Sequence, residues 1–309
     1  MTAQPRLRID AGDWYWDKWS RSLDDAIARS LHIAGEQLEN PVYEPQFAFN
    51  SATRCLDAML FRYAKGDSIA EVARYFPTLL DMWERSNRLA DDICAQEGLA
   101  SCRDWTFDLK SLSHYDWCFR LVGLALALNV PDAQWTRLLS LVGGEGEDEL
   151  LDRVISARQS DRMIGQGALH SRPYARLLRA IEAPEPDRPA LLREFVEHWY
   201  QELGQSNDER LWWYHFGDVQ TYPLEKFLYV GRWCVEAVAA VKAFGINDAL
   251  CLDHPHYPGD LVEDGRAPRF PLGASPQGIG NLKFGTSPRK TRVSDWVIRV
   301  LTAKPPLQS

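Results

Sequence analysis

The stretch IAEVARYFPTLLDMW, residues 69–83, sets Ile69, Val72, Tyr75, Phe76, Leu79, Leu80 and Trp83 three and four positions apart. That spacing is one face of an amphipathic helix. The same period runs outward from it in both directions. Leu23, Ile27, Leu31, Ala34 and Leu38 mark the face of a first helix, and Ser51 to Tyr63 continue the pattern. Further helices are expected near 109–128, 132–141, 147–157, 172–182, 187–203 and 222–244. Strict apolar–polar alternation over six or more positions is scarce, so the fold class is all-α.

Loop signals divide the chain. Gly143-Gly144-Glu145-Gly146 is one break, and Pro184 to Pro189 is another, with Asp187 placed as a helix cap. Residues 265–290 are rich in Gly and Pro and read as an extended arm, followed by a short helix near Val293 to Leu301. The expected architecture is a two-part helical bundle with an extended C-terminal arm. Its parts are an N-terminal helical domain over 1–142, a C-terminal helical domain over 143–265 and a basic arm over 266–309.

A helical unit is used twice at an offset of 116. Trp83 matches Trp199, Leu112 matches Leu228, Trp117-Cys118 matches Trp233-Cys234, and Val122 matches Val238 without a gap. A duplicated unit builds a continuous core, and Trp83, Trp117, Trp199 and Trp233 are expected to share that structural role. Two charged pairs also correspond, Asp116 with Arg120 and Arg232 with Glu236, each four residues apart and of reversed polarity. Such pairs face each other on a helix. Among apolar neighbours, losing one member would cost ~3–5 kcal/mol, against about 0.3–0.5 kcal/mol for exposed pairs.

The longest apolar run, Leu121 to Leu128, is too short to cross a membrane, and the first ten residues carry no apolar leader core. Six cysteines are scattered without a C-x-x-C pair, which points to a reducing cytoplasm rather than a disulfide framework. The net charge is −8, but from Arg266 onward eight Lys and Arg face one acid, Asp295. The tail is therefore +7 and residues 1–265 carry −15. So acidic a body repels nucleic acid and favours a basic protein partner.

The common catalytic patterns are missing. There is no H-E-x-x-H, no Walker loop and no G-x-S-x-G, and Gly278-Ile-Gly280 lacks the preceding strand of a dinucleotide fingerprint. Asp253, His254 and His256 would make an incomplete metal set, so an all-α metal-dependent enzyme is the alternative reading. His215 and Asp218, beside Trp212-Trp213-Tyr214, read as a packing corner before an acid–base pair, and Trp14-Tyr15-Trp16 with Trp19 as a segment docking on the bundle. No cofactor, metal, membrane or direct nucleic-acid contact is expected. Two acidic segments stand out as partner contacts. One is Glu145, Glu147, Asp148, Glu149 and Asp152, where acids also suit a helix N-terminus. The other holds Asp253, Asp260, Glu263 and Asp264, after Asp248, with no Lys or Arg.

Residues 220–265 resemble the C-terminal domain of the PoNi family, immunity proteins paired with polymorphic nuclease toxins. The resemblance rests on Tyr229-x-Gly231-x-Trp233-Cys234-x-Glu236-Ala237, on Gly245-Ile246-Asn247-Asp248, and on His256-Tyr257-Pro258-x-Asp260-Leu261-Val262. Residues 20–130 are similar to the family's N-terminal helical domain. The resemblance implies an all-helical, non-catalytic protein that binds a DNase toxin, often one delivered by a type VI secretion system, and protects the producing cell. A helical scaffold with another partner differs from this only in what it binds.

Overall fold

The computed structural model describes residues 4–34, 41–99, 108–205, 211 and 223–272. Its elements are α1 (Asp13–Ile33), α2 (Glu44–Lys65), α3 (Ile69–Ala73), α4 (Phe76–Glu97), α5 (Leu112–Ala127), α6 (Asp132–Val142), α7 (Glu149–Ser156), α8 (Tyr174–Glu182), α9 (Arg188–Gln205) and α10 (Val235–Phe244), with short 3-10 turns between some of them. Among the described residues there is no strand, and the fold is all-α.

The stretch 69–83 is helical but broken. α3 ends at Ala73 and α4 starts at Phe76. Pro77 is the cause, because it has no N–H to give and its ring would strike the carbonyl one turn back. It is accommodated in the first turn of α4, where that N–H has no helical partner. The apolar face survives the break, with Val72, Tyr75, Phe76, Leu79, Leu80 and Trp83 all buried. On α1, Leu23 and Ile27 are buried but Leu31 is exposed, while Leu38 lies outside the described residues.

The helix expected over 222–244 is corrected most. Only Val235–Phe244 is helical, and residues 223–234 form a turn and an extended run. Gly231 has φ +86, and a Cβ there would lie 2.4 Å from the Trp233 indole, which folds back over it. The indole N–H donates to the Val230 carbonyl (2.7 Å). The extended run receives α1: the Tyr15 hydroxyl accepts from the Tyr229 N–H (2.8 Å), and Trp19 Nε1 donates to the Leu224 carbonyl (3.2 Å). The docking role expected of the N-terminal aromatics is thus met by Tyr15, Trp16 and Trp19, whereas Trp14 stays exposed.

α5 and α10 form the central seam, and one pair of positions 116 apart, Gly123 and Ala239, meets across it. A Cβ on Gly123 would lie 3.2 Å from Ala239 Cβ and 2.9 Å from Val235 Cγ1. Both helices are buried almost all round, and the seam joins the part expected over 1–142 to that over 143–265. The described residues belong to one compact unit. Near the seam Trp83 and Trp117 meet edge to face at 4.5 Å between centroids.

A charged centre sits in this seam. Arg120 and Asp116 form a buried ion pair at 3.2 Å. Arg232 does not pair with Glu236, as the shared helix expected of them would require. It precedes α10 and lies over the Tyr200 ring at 4.2 Å. Glu236, fully buried, instead accepts from Trp199 Nε1 (3.2 Å) and the Tyr174 hydroxyl (3.3 Å). Burial first, and Asp116 second, push its pKa up to about 7 against the opposing pull of Arg120. Asp57 on α2, near Arg54 and Arg120, is pushed up to about 7 by burial as well.

Cys55, Cys118, Cys234 and Cys251 are free and buried. Cys94 on α4 is disulfide-bonded, which runs against the reducing compartment expected from the scattered cysteines. No helix among the described residues is long and apolar enough to cross a membrane.

Candidate functional site

The first acidic segment divides into inward and outward carboxylates. Asp148 is fully buried and caps α7. Its Oδ1 accepts from the Leu151 N–H (2.7 Å) and the Tyr115 hydroxyl (2.9 Å), and its Oδ2 from the Leu169 N–H (2.7 Å). Asp152, also buried, accepts from Arg162 Nε (2.7 Å) and from the N–H groups of Gly146 and Gly165 (both 3.1 Å). These two are internal staples and cannot meet a partner. Their acidity serves the helix N-terminus and the folding of the loop after α7. Glu149 pairs with Arg153 at 2.6 Å. Glu145 and Glu147 face solvent.

The stapled loop is residues 157–173, between α7 and α8. Besides Asp148 and Asp152, the Glu149 N–H donates to the Gly167 carbonyl (3.0 Å), and the Met163 N–H donates to Glu145 Oε1 (2.9 Å). Gly165 packs so closely that a Cβ would lie 2.7 Å from the Asp148 nitrogen. With its backbone held on one side, the loop turns Met163 and Ile164 outward, 63% and 40% exposed.

The second acidic segment is also largely spent inside the fold. Asp260 is buried between Arg6 and Arg269, the latter at 2.6 Å. Arg6 further donates to the carbonyls of Tyr63 (2.9 Å) and Asp67 (2.8 Å) and lies over the Tyr63 ring at 4.6 Å. It thereby ties the N-terminal segment to α2 and to the 259–264 turn. Asp264 reaches Arg6 at 3.2 Å, and Asp248 accepts from the Tyr257 hydroxyl (2.6 Å) and from Arg266. The segment without its own Lys or Arg therefore draws its counter-charges from Arg6, Arg266 and Arg269. Two of these belong to the stretch expected to be the basic arm, and the Phe270 N–H donates to the Pro5 carbonyl (2.8 Å). Asp253 and Glu263 remain outward, with Asp253 bound to Arg193.

The candidate metal set is otherwise engaged. His256 donates a ring N–H to the Arg232 carbonyl (3.0 Å), and His254 Nδ1 accepts from the His256 N–H (3.2 Å). Burial, with His254 and Arg232 adding to it, pushes the His256 pKa down to about 3. No group of three or more His, Cys, Asp or Glu among the described residues is arranged to hold a metal ion. His215, Asp218 and Trp212 to Tyr214 lie outside the described residues, as do residues 273–309 of the arm. A shallow cavity of about 520 Å³ opens between the start of α9 and the end of α10, lined by Glu185, Arg188, Phe244 and Asn247 among others.

Sequence reasoning missed Arg6, Arg162, Met163 and Ile164. None belongs to a motif; the role of Arg6 depends on residues far away in the chain, and those of Arg162, Met163 and Ile164 on the turn that bonds their loop back to the start of α7.

The solved structure of protein PA2201 from Pseudomonas aeruginosa is similar in fold, with a TM-score of 0.64 and 20% identity, over 86% of this chain and 92% of that one. No curated protein matches the sequence. Two family models do: that of the N-terminal domain of PoNe immunity proteins over residues 14–140, and that of their C-terminal domain over residues 146–261. Together they span both halves of the helical body in the family's own order, and the chain belongs to the PoNi family of immunity proteins.

Proposed function

We propose that this immunity protein neutralises a DNase toxin by forming a stoichiometric complex with it in the cytoplasm of the producing cell, and that the toxin is one exported by a type VI secretion system. The match of both PoNi domains carries the reading. The role is binding rather than catalysis: the seam charges Asp116, Arg120 and Glu236 are enclosed by packed helices, and the His256 ring is bonded to the Arg232 carbonyl. The charge distribution agrees. Adding Arg266 and Arg269 to the −15 of residues 1–265 leaves −13 on the body up to residue 272. A DNA-cutting enzyme presents a basic face to phosphates, and a −13 body accelerates encounter with such a face. The outward carboxylates Glu145, Glu147, Asp253, Glu263 and Asp264 are the partner contacts retained from the two acidic segments, whereas Glu149 is largely enclosed beside Arg153.

Co-expression with the PoNe toxin of the same strain tests this. Cells survive, and the two proteins elute together from a sizing column in equal amounts. Death of the co-expressing cells with no complex on the column refutes the proposal.

A further inference from the structure

Met163 and Ile164 are adjacent, apolar and outward. Single exposed apolar residues are ordinary. Two together at the crest of a loop whose backbone is bonded to Glu145, Asp148, Glu149 and Asp152 need another account. Met163 lies along Gly146 yet stays more than half exposed, and the staples fix the backbone that carries both side chains. Such a loop has already met the ordering cost that weakens binding by flexible segments. Its surroundings are acidic. Glu145 bonds the Met163 N–H, the Glu147 carbonyl carbon lies against Gly165, and Asp161 is two residues away; all three side chains face solvent. The nearby cations are committed: Arg162 to Asp152 at 2.7 Å and, more distantly, to Glu145 at 3.9 Å, Arg158 to Asp132 and Arg153 to Glu149 and Glu182, so Glu147 and Asp161 keep their full charge and Glu145 part of it. Leu250 is 54% exposed too, but it stands alone beside Asp253, whose charge Arg193 offsets.

We infer that the Met163–Ile164 tip is the apolar anchor of the interface, seated in a recess on a basic surface of the toxin, with Glu145, Glu147 and Asp161 meeting Lys and Arg around that recess. This rests on the proposed function and adds the docking point. An apolar centre inside a charged rim is the usual anatomy of an interface hot spot.

The test uses the full chain and a catalytically inactive variant of the same strain's PoNe toxin, with binding followed by biolayer interferometry at several salt concentrations. A Met163→Ser, Ile164→Ser double variant unfolds in urea as the wild type does and binds at least 30-fold more weakly, mainly through faster dissociation. A Glu145→Gln, Glu147→Gln, Asp161→Asn variant associates more slowly and loses salt dependence. Leu250→Ser binds normally. Binding by the double Ser variant within threefold of wild type, while wild type binds the toxin, overturns the anchor and leaves the proposed function standing. Equal weakening by Leu250→Ser overturns it too. A wild-type dimer that the double Ser variant loses assigns the tip to a second copy of this chain and also overturns it. Failure of the wild type to bind removes the proposed function, and the anchor with it.

Discussion

Replacing Asp148 by Ala should destabilise the protein by about 2–5 kcal/mol without requiring any partner. The figure is built from three bonds. Losing the cap of α7, at the Leu151 N–H, costs about 1 kcal/mol. The Tyr115 hydroxyl is then stranded in a fully buried cluster with Tyr174 and Phe119, at about 1–3 kcal/mol. The Leu169 N–H is only partly buried and recovers water, so its loss adds about 1 kcal/mol or less. Asp148→Asn keeps an acceptor for Leu151 and Tyr115 but turns an amide N–H₂ toward Leu169, so it should cost roughly half as much. Glu147→Ala, one residue earlier and outward, should stay within about 0.5 kcal/mol of wild type. Urea unfolding followed by far-ultraviolet circular dichroism measures all three. An Ala variant within about 1 kcal/mol of wild type, or an Asn variant as damaging as Ala, would refute the assignment of Asp148 as a staple. The outcome also governs interface mapping, because a charge reversal that includes Asp148 would lose toxin binding through unfolding alone.

The remaining predictions concern the N-terminal tie and the seam. Arg6→Ala should cost about 3 kcal/mol, the lower end for breaking a buried pair, because Asp260 keeps Arg269; a urea midpoint equal to that of wild type contradicts this. Gly66→Ala meets both a φ of +96 and the Gln4 carbonyl oxygen 2.1 Å from the new Cβ. It should cost more than the ~1–2 kcal/mol of the left-handed backbone alone, and amide exchange over residues 4–9 should rise with it. Glu236 has a folded pKa of about 7 against an ordinary value near 4.5, so the native state holds its proton longer. The stability this gives is complete below pH 4.5 and is lost as pH rises through 7, about 3 kcal/mol in all. Glu236→Gln should flatten the decline between pH 5 and 8, leaving the part that Asp57 contributes with the same sign; an unchanged slope would show that Glu236 does not titrate there.

The fold was legible where periodicity and local chemistry agreed. The buried faces of α2 and α4 follow their apolar spacing, and α6 to α9 lie within two residues of the expected bounds. The break at Arg74 was signalled by Pro77 and overlooked because the apolar period runs through it. The false helix over 222–234 came from extending the helical period of residues 235–244 upstream. Residues 228–234 match the first turns of α5, but Gly231 and the indole of Trp233 take the backbone elsewhere, and the main chain there binds Tyr15 and His256. The long-range partners of a residue decide such a case, and no local pattern carries them. Arg120–Asp116 could be read from spacing, being within one helix. The bonds of Glu236 to Trp199 and Tyr174 could not, since they join three helices.

The acidic segments mark the same limit in charge. Counted along the chain, each looks like a surface offered to a basic partner. Folded, Asp148, Asp152, Asp248 and Asp260 are all buried with donors supplied from elsewhere in the chain. Those carboxylates set the geometry of two loops, and what they leave outward is sparser: Glu145, Glu147 and Asp161 around one tip, Glu263 and a partly engaged Asp264 around the other turn. A partner therefore meets a long-range field of many charges but few carboxylates at contact distance. The field sets how fast a basic toxin arrives, and it weakens as salt shortens the Debye length to about 8 Å. Retention has to come from something salt does not screen, and in the proposed interface the adjacent pair Met163 and Ile164, set among outward carboxylates, supplies it. Association rates should thus fall steeply between low and physiological salt while dissociation rates stay nearly constant. A dissociation rate that rises with salt as strongly as the association rate falls would mean that charge, and not the apolar tip, holds the complex together.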